Sequence, residues 1–143
     1  MIVILEPELR LVDKSSFSKL LGVKTVTYEK GEVVLELKIQ EHHLNGIKTV
    51  HGGVTATLID NIIGATITSL VQRPSTTINL NISYLSPLSS GVLTAKAKIL
   101  HLGYKIVTGE GVITDQNGKM IAKGTGTFKI LHTKQEDSSC KNE

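Results

Sequence analysis

The sequence predicts an α+β domain in which one long buried helix lies across a strongly curved antiparallel sheet. Three observations carry this. Residues 52–71 form a single long helical pattern that is apolar around most of its circumference, and such a helix must be buried on several sides. The segments on either side of it alternate apolar and polar residues with a period of two, as half-buried strands do. Gly109 and Gly111 fall on one face of a strand, and Gly124 and Gly126 fall likewise on its hairpin partner. Glycine weakens a strand interior, so paired glycines mark a place where another backbone comes close.

The elements follow in order. Glu6-Pro7-Glu8 suits a helix start, since proline is tolerated at the first helical position and acids there complement the dipole. Leu9, Val12, Phe17, Leu20 and Leu21 continue at helical spacing, and Gly22 is a stop signal. From Val23 the period is two. Residues 28–32 read as a hairpin turn, and residues 33–39 as a strand with Leu35, Leu37 and Ile39 on one face. Residues 40–50 are polar and turn-like. Within the long helix Val54, Leu58, Ile62 and Leu70 share a stripe, Ile59, Ile63 and Ile67 a neighbouring one, and Gly64 and Ala65 keep it slim. Its β-branched content is high for a helix, so tertiary burial has to hold it. Four strands follow at residues 77–85, 92–101, 104–114 and 119–131, the last two joined by Asp115-Gln116-Asn117-Gly118.

Composition narrows the function. The chain has 143 residues, 16 Lys+Arg against 13 Asp+Glu, three Tyr, two Phe and no Trp. This suits one domain, expected over residues 1–134, with a polar, frayed tail at 135–143. The net charge of +3 comes from scattered lysines without a basic run or an aromatic platform, which argues against nucleic-acid binding. The apolar window around residues 54–71 contains Asp60, and a mid-helix Asp costs about 2.5 to 3.5 kcal/mol on insertion scales, so a membrane span is not expected. The first residues are too short for a signal peptide. Cys140 alone makes neither an intramolecular disulfide nor a cysteine zinc site. The expectation is a soluble, cytoplasmic protein without a metal.

Three polar clusters interrupt the apolar patterns. The first is residues 45–53, ending in His51-Gly52-Gly53 at the start of the long helix. A first helical turn carries unpaired N–H groups and partial positive charge, and glycine lets a carbonyl approach without meeting a Cβ. Such donors stabilise the oxyanion of a tetrahedral intermediate. Asn45 adds a side-chain NH2, and His51 is placed to orient the loop or the carbonyl. The same residues equally read as a tight turn with His51 as a local cap. Asp60 is the second cluster: either a carboxylate in an apolar wall, ready to activate water or attack a carbonyl, or the wet edge of the helix. The third is the face starting at Thr77 and Asn79, read as an ordinary solvated sheet face or as a hydroxyl that places water beside Asp60. The remaining histidines have no metal-ligand spacing, and no nucleophile elbow or phosphate loop appears.

Spacing adds a constraint. Asp60 lies eight residues beyond Gly52, about 12 Å along one helix. A base and an oxyanion donor must both reach one carbonyl, so a single helix does not easily supply both. Two copies arranged antiparallel about a twofold axis do, with Gly52 of one facing Asp60 of the other.

Taken together, Asn45-x5-His51-Gly52-Gly53-x6-Asp60-Asn61 followed by Asn79-x-Asn81-Ile82-Ser83-Tyr84-x-Ser86-Pro87 resembles the hotdog-fold acyl-CoA thioesterases of the PaaI type, in particular the thioesterase superfamily member 2 branch. The resemblance covers residues 11–134. It implies a sheet wrapped around the central helix, two subunits joining their sheets, often two dimers packed face to face as a tetramer, and hydrolysis of a fatty or aryl acyl-CoA to free acid and coenzyme A. By position it implies that Gly52 and Asn45 polarise the thioester carbonyl with His51 in support. Asp60 of the partner subunit would act as base or nucleophile, and Thr77 would place water. Coenzyme A, as part of the substrate and not a resident cofactor, would lie along Asn79 and Tyr84 and near His101, Gly103, Tyr104 and Lys105, with Lys129 toward its phosphates. Asn79 stands where close relatives carry Asp. A non-catalytic acyl-CoA sensor is the alternative from another class, and it has no need of Asp60; a hydratase needs a His and acid pair placed differently.

Overall fold

The computed structural model describes residues 9–133. A 3-10 turn at Leu11–Lys14 leads into α1, Ser16–Leu21. The single helix expected from Glu6 to Gly22 is therefore broken: its expected start lies outside the described residues, and within them Ser15 interrupts it. Ser15 has extended backbone, and its hydroxyl accepts the Ser18 N–H at 3.1 Å. A serine so placed competes with the helix backbone and caps a new helix instead. The stop is where expected, with Gly22 in the left-handed region at φ 89°.

β1, Lys24–Glu29, and β2, Glu32–Lys38, form a hairpin. A loop containing a 3-10 turn at Glu41–His43 then leads to α2, Gly52–Val71, with the bounds the apolar pattern predicts. β3, Ser75–Tyr84, β4, Val92–Leu102, β5, Ile106–Thr114, and β6, Met120–Ile130, complete the chain. All six strands form one antiparallel sheet in the order β1-β2-β4-β5-β6-β3. The sheet wraps α2, which packs on β2, β3, β4, β5 and β6.

Burial explains why a β-branched sequence is helical here. Leu58, Ile59, Ile62, Ile63 and Ile67 are fully buried against Leu35, Leu37, Leu93, Ala95, Val107 and Phe128. Burying each large side chain is worth about 1.5 to 3 kcal/mol, whereas a poor helix former costs no more than about 0.7. Burial wins. Among the described residues α2 is the one helix long and apolar enough to cross a membrane, and it is the core of this sheet. The glycines lie opposite one another, Gly109 against Gly126 and Gly111 against Gly124. This small patch admits α2: a Cβ at Gly109 would stand 2.7 Å from Ile63 Cγ2.

β3 departs from simple alternation. Thr77 pairs with Phe128 and Asn79 with Thr127, so Ile78 is an extra residue in a bulge and is 54% exposed. A bulge of one residue reverses the faces on either side of it. β3 is also an outer strand, hydrogen-bonded to β6 on one side and unpaired on the other within the described chain.

Candidate active site

The site is best followed from the start of α2. His51 has extended backbone at φ −62° and ψ 136°, and its Nδ1 accepts the Gly53 N–H at 2.8 Å. It is thus the N-cap, and the same bond directs the proton of a neutral imidazole to the other nitrogen, Nε2. The His51 N–H in turn donates to the His43 carbonyl at 2.8 Å. His43 is buried and uses both ring nitrogens, Nδ1 accepting from the Gln40 N–H at 2.8 Å and Nε2 donating to the Leu21 carbonyl at 2.6 Å. The loop before α2 is thereby tied to the end of α1. With Gly53 occupied by its cap, the Gly52 N–H has no acceptor among the described residues. It is an available donor at the positive end of a 20-residue helix.

Asn45 organises the loop. Its Oδ1 accepts the N–H groups of Ile47 at 3.1 Å and Thr49 at 3.0 Å, and its Nδ2 donates to Thr49 Oγ1 at 2.9 Å. One amide hydrogen remains. Tyr84, at the end of β3, donates its hydroxyl to the Gly52 carbonyl at 3.0 Å, and its ring lies where a Gly52 Cβ would meet it at 3.4 Å. Gly52 and Tyr84 line a cleft of about 320 Å3 with Val50, Thr55, Pro87 and Ile121.

Asp60 is half-buried on the same helix. Thr77 donates its hydroxyl to Asp60 Oδ1 at 2.5 Å, and no Lys or Arg pairs with the carboxylate among the described residues. One oxygen lone-pair set is held and the rest are free for water. Of the two readings of this face, the contact fits the hydroxyl beside Asp60, while the expectation that Thr77 and Asn79 share one strand face is corrected. The bulge at Ile78 turns Thr77 toward α2, while Asn79 is exposed and pairs with Thr127. Beside Asp60, Asn61 donates to the buried Ser18 hydroxyl at 2.8 Å, which holds α1 against α2. Asp60 and Thr77 line a second cleft, of about 180 Å3.

Gly52 and Asp60 thus line separate clefts, about 12 Å apart along one helix axis. The residues expected to hold coenzyme A fall into two groups. Lys105 and Lys129 line a cleft of about 140 Å3 with Ile130, Leu131 and His132. Neither lysine is in an ion pair among the described residues. Gly103 closes the β4–β5 turn through its N–H on the Ile106 carbonyl, with His101 beside it, and Tyr104 stacks on His132 at 4.1 Å between ring centroids. Tyr84 belongs instead to the Gly52 cleft, at the far end of β3.

Sequence reasoning missed the two hydrogen bonds of the buried His43 ring, the Asn61–Ser18 contact and the bulge. His43 carries a partial signal, as the polar residue nearest the loop that has to be fixed; a one-residue bulge leaves none.

Comparison with known proteins accords with this geometry. The thioesterase superfamily profile matches residues 47–122, from the loop before α2 into β6. Human acyl-coenzyme A thioesterase 13 is 36% identical over 118 residues, 78% of this chain and 83% of the relative. The crystal structure of zebra fish thioesterase superfamily member 2 superposes with a TM-score of 0.76 at 32% identity, covering 87% of this chain and 93% of that one. A hypothetical thioesterase of Streptococcus pneumoniae, solved with coenzyme A, has a TM-score of 0.74 at 29% identity, covering 78% and 88%. The chain belongs to the thioesterase superfamily.

Proposed function

We propose that the chain hydrolyses acyl-coenzyme A thioesters to free acid and coenzyme A at a site completed by a second copy of itself. One observation carries the reading: α2 runs antiparallel to the sheet's outer strand, with Gly52 bonded to Tyr84 at one end of β3 and Asp60 to Thr77 near the other. Pairing two β3 edges antiparallel about a twofold axis brings the Tyr84 end of one copy against the Thr77 end of the other. The cleft of Gly52 then faces the cleft of Asp60, which one helix alone does not achieve. The relatives' names supply the substrate class, and the two lysines at positions 105 and 129 suit its phosphates.

In this reading the thioester oxygen accepts the Gly52 N–H, with the remaining Asn45 amide hydrogen and His51 Nε2–H in support. Thr77 holds one oxygen of Asp60 from the second copy, and the other takes a proton from water as the water oxygen bonds to the carbonyl carbon. The oxyanion collapses, the carbon–sulfur bond breaks, and the leaving thiolate takes the proton back from Asp60. The products are the acid and coenzyme A thiol. The smallest competent unit is the dimer, a tetramer is two of them, and the compartment is the cytoplasm.

The test is release of coenzyme A thiol over a panel of acyl-CoAs by wild type and Asp60→Asn. Turnover by wild type and a loss of about 10²- to 10⁴-fold in kcat for the variant support the reading. Binding without turnover by both proteins indicates an acyl-CoA sensor instead.

A further inference from the structure

We infer that the cleft beside Asp60 receives the acyl group, and that Gly64 sets the chain length at which the cleft stops accepting it freely; this rests on the hydrolase reading above. The cleft is walled by Leu11, Val12, Gly64, Ala65, Thr68 and Phe128, with Asp60 and Thr77 lining it as well. Asp60, Gly64 and Thr68 are four residues apart on one helix face, so the cleft follows α2 from the carboxylate toward the helix C-terminus. A thioester attacked by water on Asp60 has its acyl chain beginning there. From that point Leu11, Val12, Ala65 and Phe128 offer apolar surface, with Ser15, Asn61, Thr68 and Ser75 also lining the cleft, while the charged coenzyme A half belongs with solvent and the lysine-lined cleft.

Gly64 is the informative position. A glycine inside a helix is less favourable than alanine, so something has to justify it. Packing among the described residues does not: of these, a Cβ at Gly64 would meet only Phe128 Cε1, at 3.5 Å, an ordinary contact. At Gly109 the same atom would stand 2.7 Å from Ile63 Cγ2. Glycine is needed at 109 for the fold, and at 64 it leaves room in the cleft. Gly64 lies about 6 Å beyond Asp60 along the helix, roughly five carbon–carbon bonds of an extended chain. Acyl groups up to about six carbons therefore end before Gly64, and longer ones pass it.

The experiment measures kcat/KM for straight-chain acyl-CoAs from acetyl to dodecanoyl, for wild type, Gly64→Ala and Gly64→Val, with a thermal melt of each. The same lengths are offered as non-hydrolysable 2-oxoalkyl-CoA analogues in calorimetry. Each methylene that reaches the cleft in wild type raises kcat/KM about fourfold. Gly64→Val keeps the acetyl and butanoyl values within about twofold and loses about tenfold or more on chains longer than six carbons. Gly64→Ala lies between, with an unchanged or raised Tm. An unchanged length profile in folded Gly64→Val overturns the inference, as does an equal loss at every length. A long-chain loss in Leu44→Trp but not in Gly64→Val moves the acyl group to the cleft of Phe17, Leu21 and Leu44 and overturns it too. If nothing is hydrolysed yet analogue binding breaks at the same length, the hydrolase reading fails and the acyl cleft stands.

Discussion

Thr77 reaches Asp60 only because Ile78 is bulged out of the ladder. Removing its hydroxyl leaves the carboxylate with one fewer donor and a freer rotamer. Thr77→Val is expected to lower kcat by about tenfold to a hundredfold with little change in KM, and Thr77→Ser to restore it; steady-state kinetics on both variants checks this. His51 has two separable jobs, since its Nδ1 caps α2 and its Nε2–H has no acceptor among the described residues. His51→Ala should cost about 1 kcal/mol in urea unfolding as well as activity, whereas His51→Asn should keep most of the stability. Asp60 and His51 were legible as polar residues interrupting an apolar pattern. The side on which Thr77 lies was not, because a single inserted residue in a strand changes no local composition and reverses every side chain before it.

At the scale of elements, α2 and the strands read directly from periodicity, and even the facing glycines announced a close approach. What they approach is Ile59, Ile62 and Ile63 of the helix. Gly109→Ala forces Ile63 aside and is expected to destabilise the fold by about 1 to 3 kcal/mol, measured by denaturant unfolding. The first helix was legible at its Gly22 end and misread before Ser15, where propensity at a Ser-Ser pair gave way to a cap. The contact that fixes α1 beside the site was hidden as well. Asn61→Ala leaves the buried Ser18 hydroxyl without its donor and should cost about 1 to 3 kcal/mol by the same measurement, while a loss confined to activity would mean that α1 stays docked by other contacts.

For the whole molecule, β3 is the outer strand of the sheet, its far edge unpaired among the described residues, and the two halves of the chemistry lie along that edge. Helical spacing already implied that Gly52 and Asp60 serve different carbonyls within one copy. The strand order adds the reason that two copies bring them together. Gly52 is the first residue of α2, where proline is tolerated and follows the extended backbone of His51 well. Gly52→Pro therefore removes the N–H while leaving the helix, with an expected loss of about 10²- to 10³-fold in kcat. Subunits carrying Gly52→Pro and subunits carrying Asp60→Asn, each nearly inactive alone, are mixed in equal amounts and allowed to exchange before thiol release is measured. Half of the dimers are then mixed and hold one intact site of two, so the account predicts about a quarter of wild-type activity. Activity that stays at the level of the separate variants after verified exchange would place the whole site within one copy and contradict it.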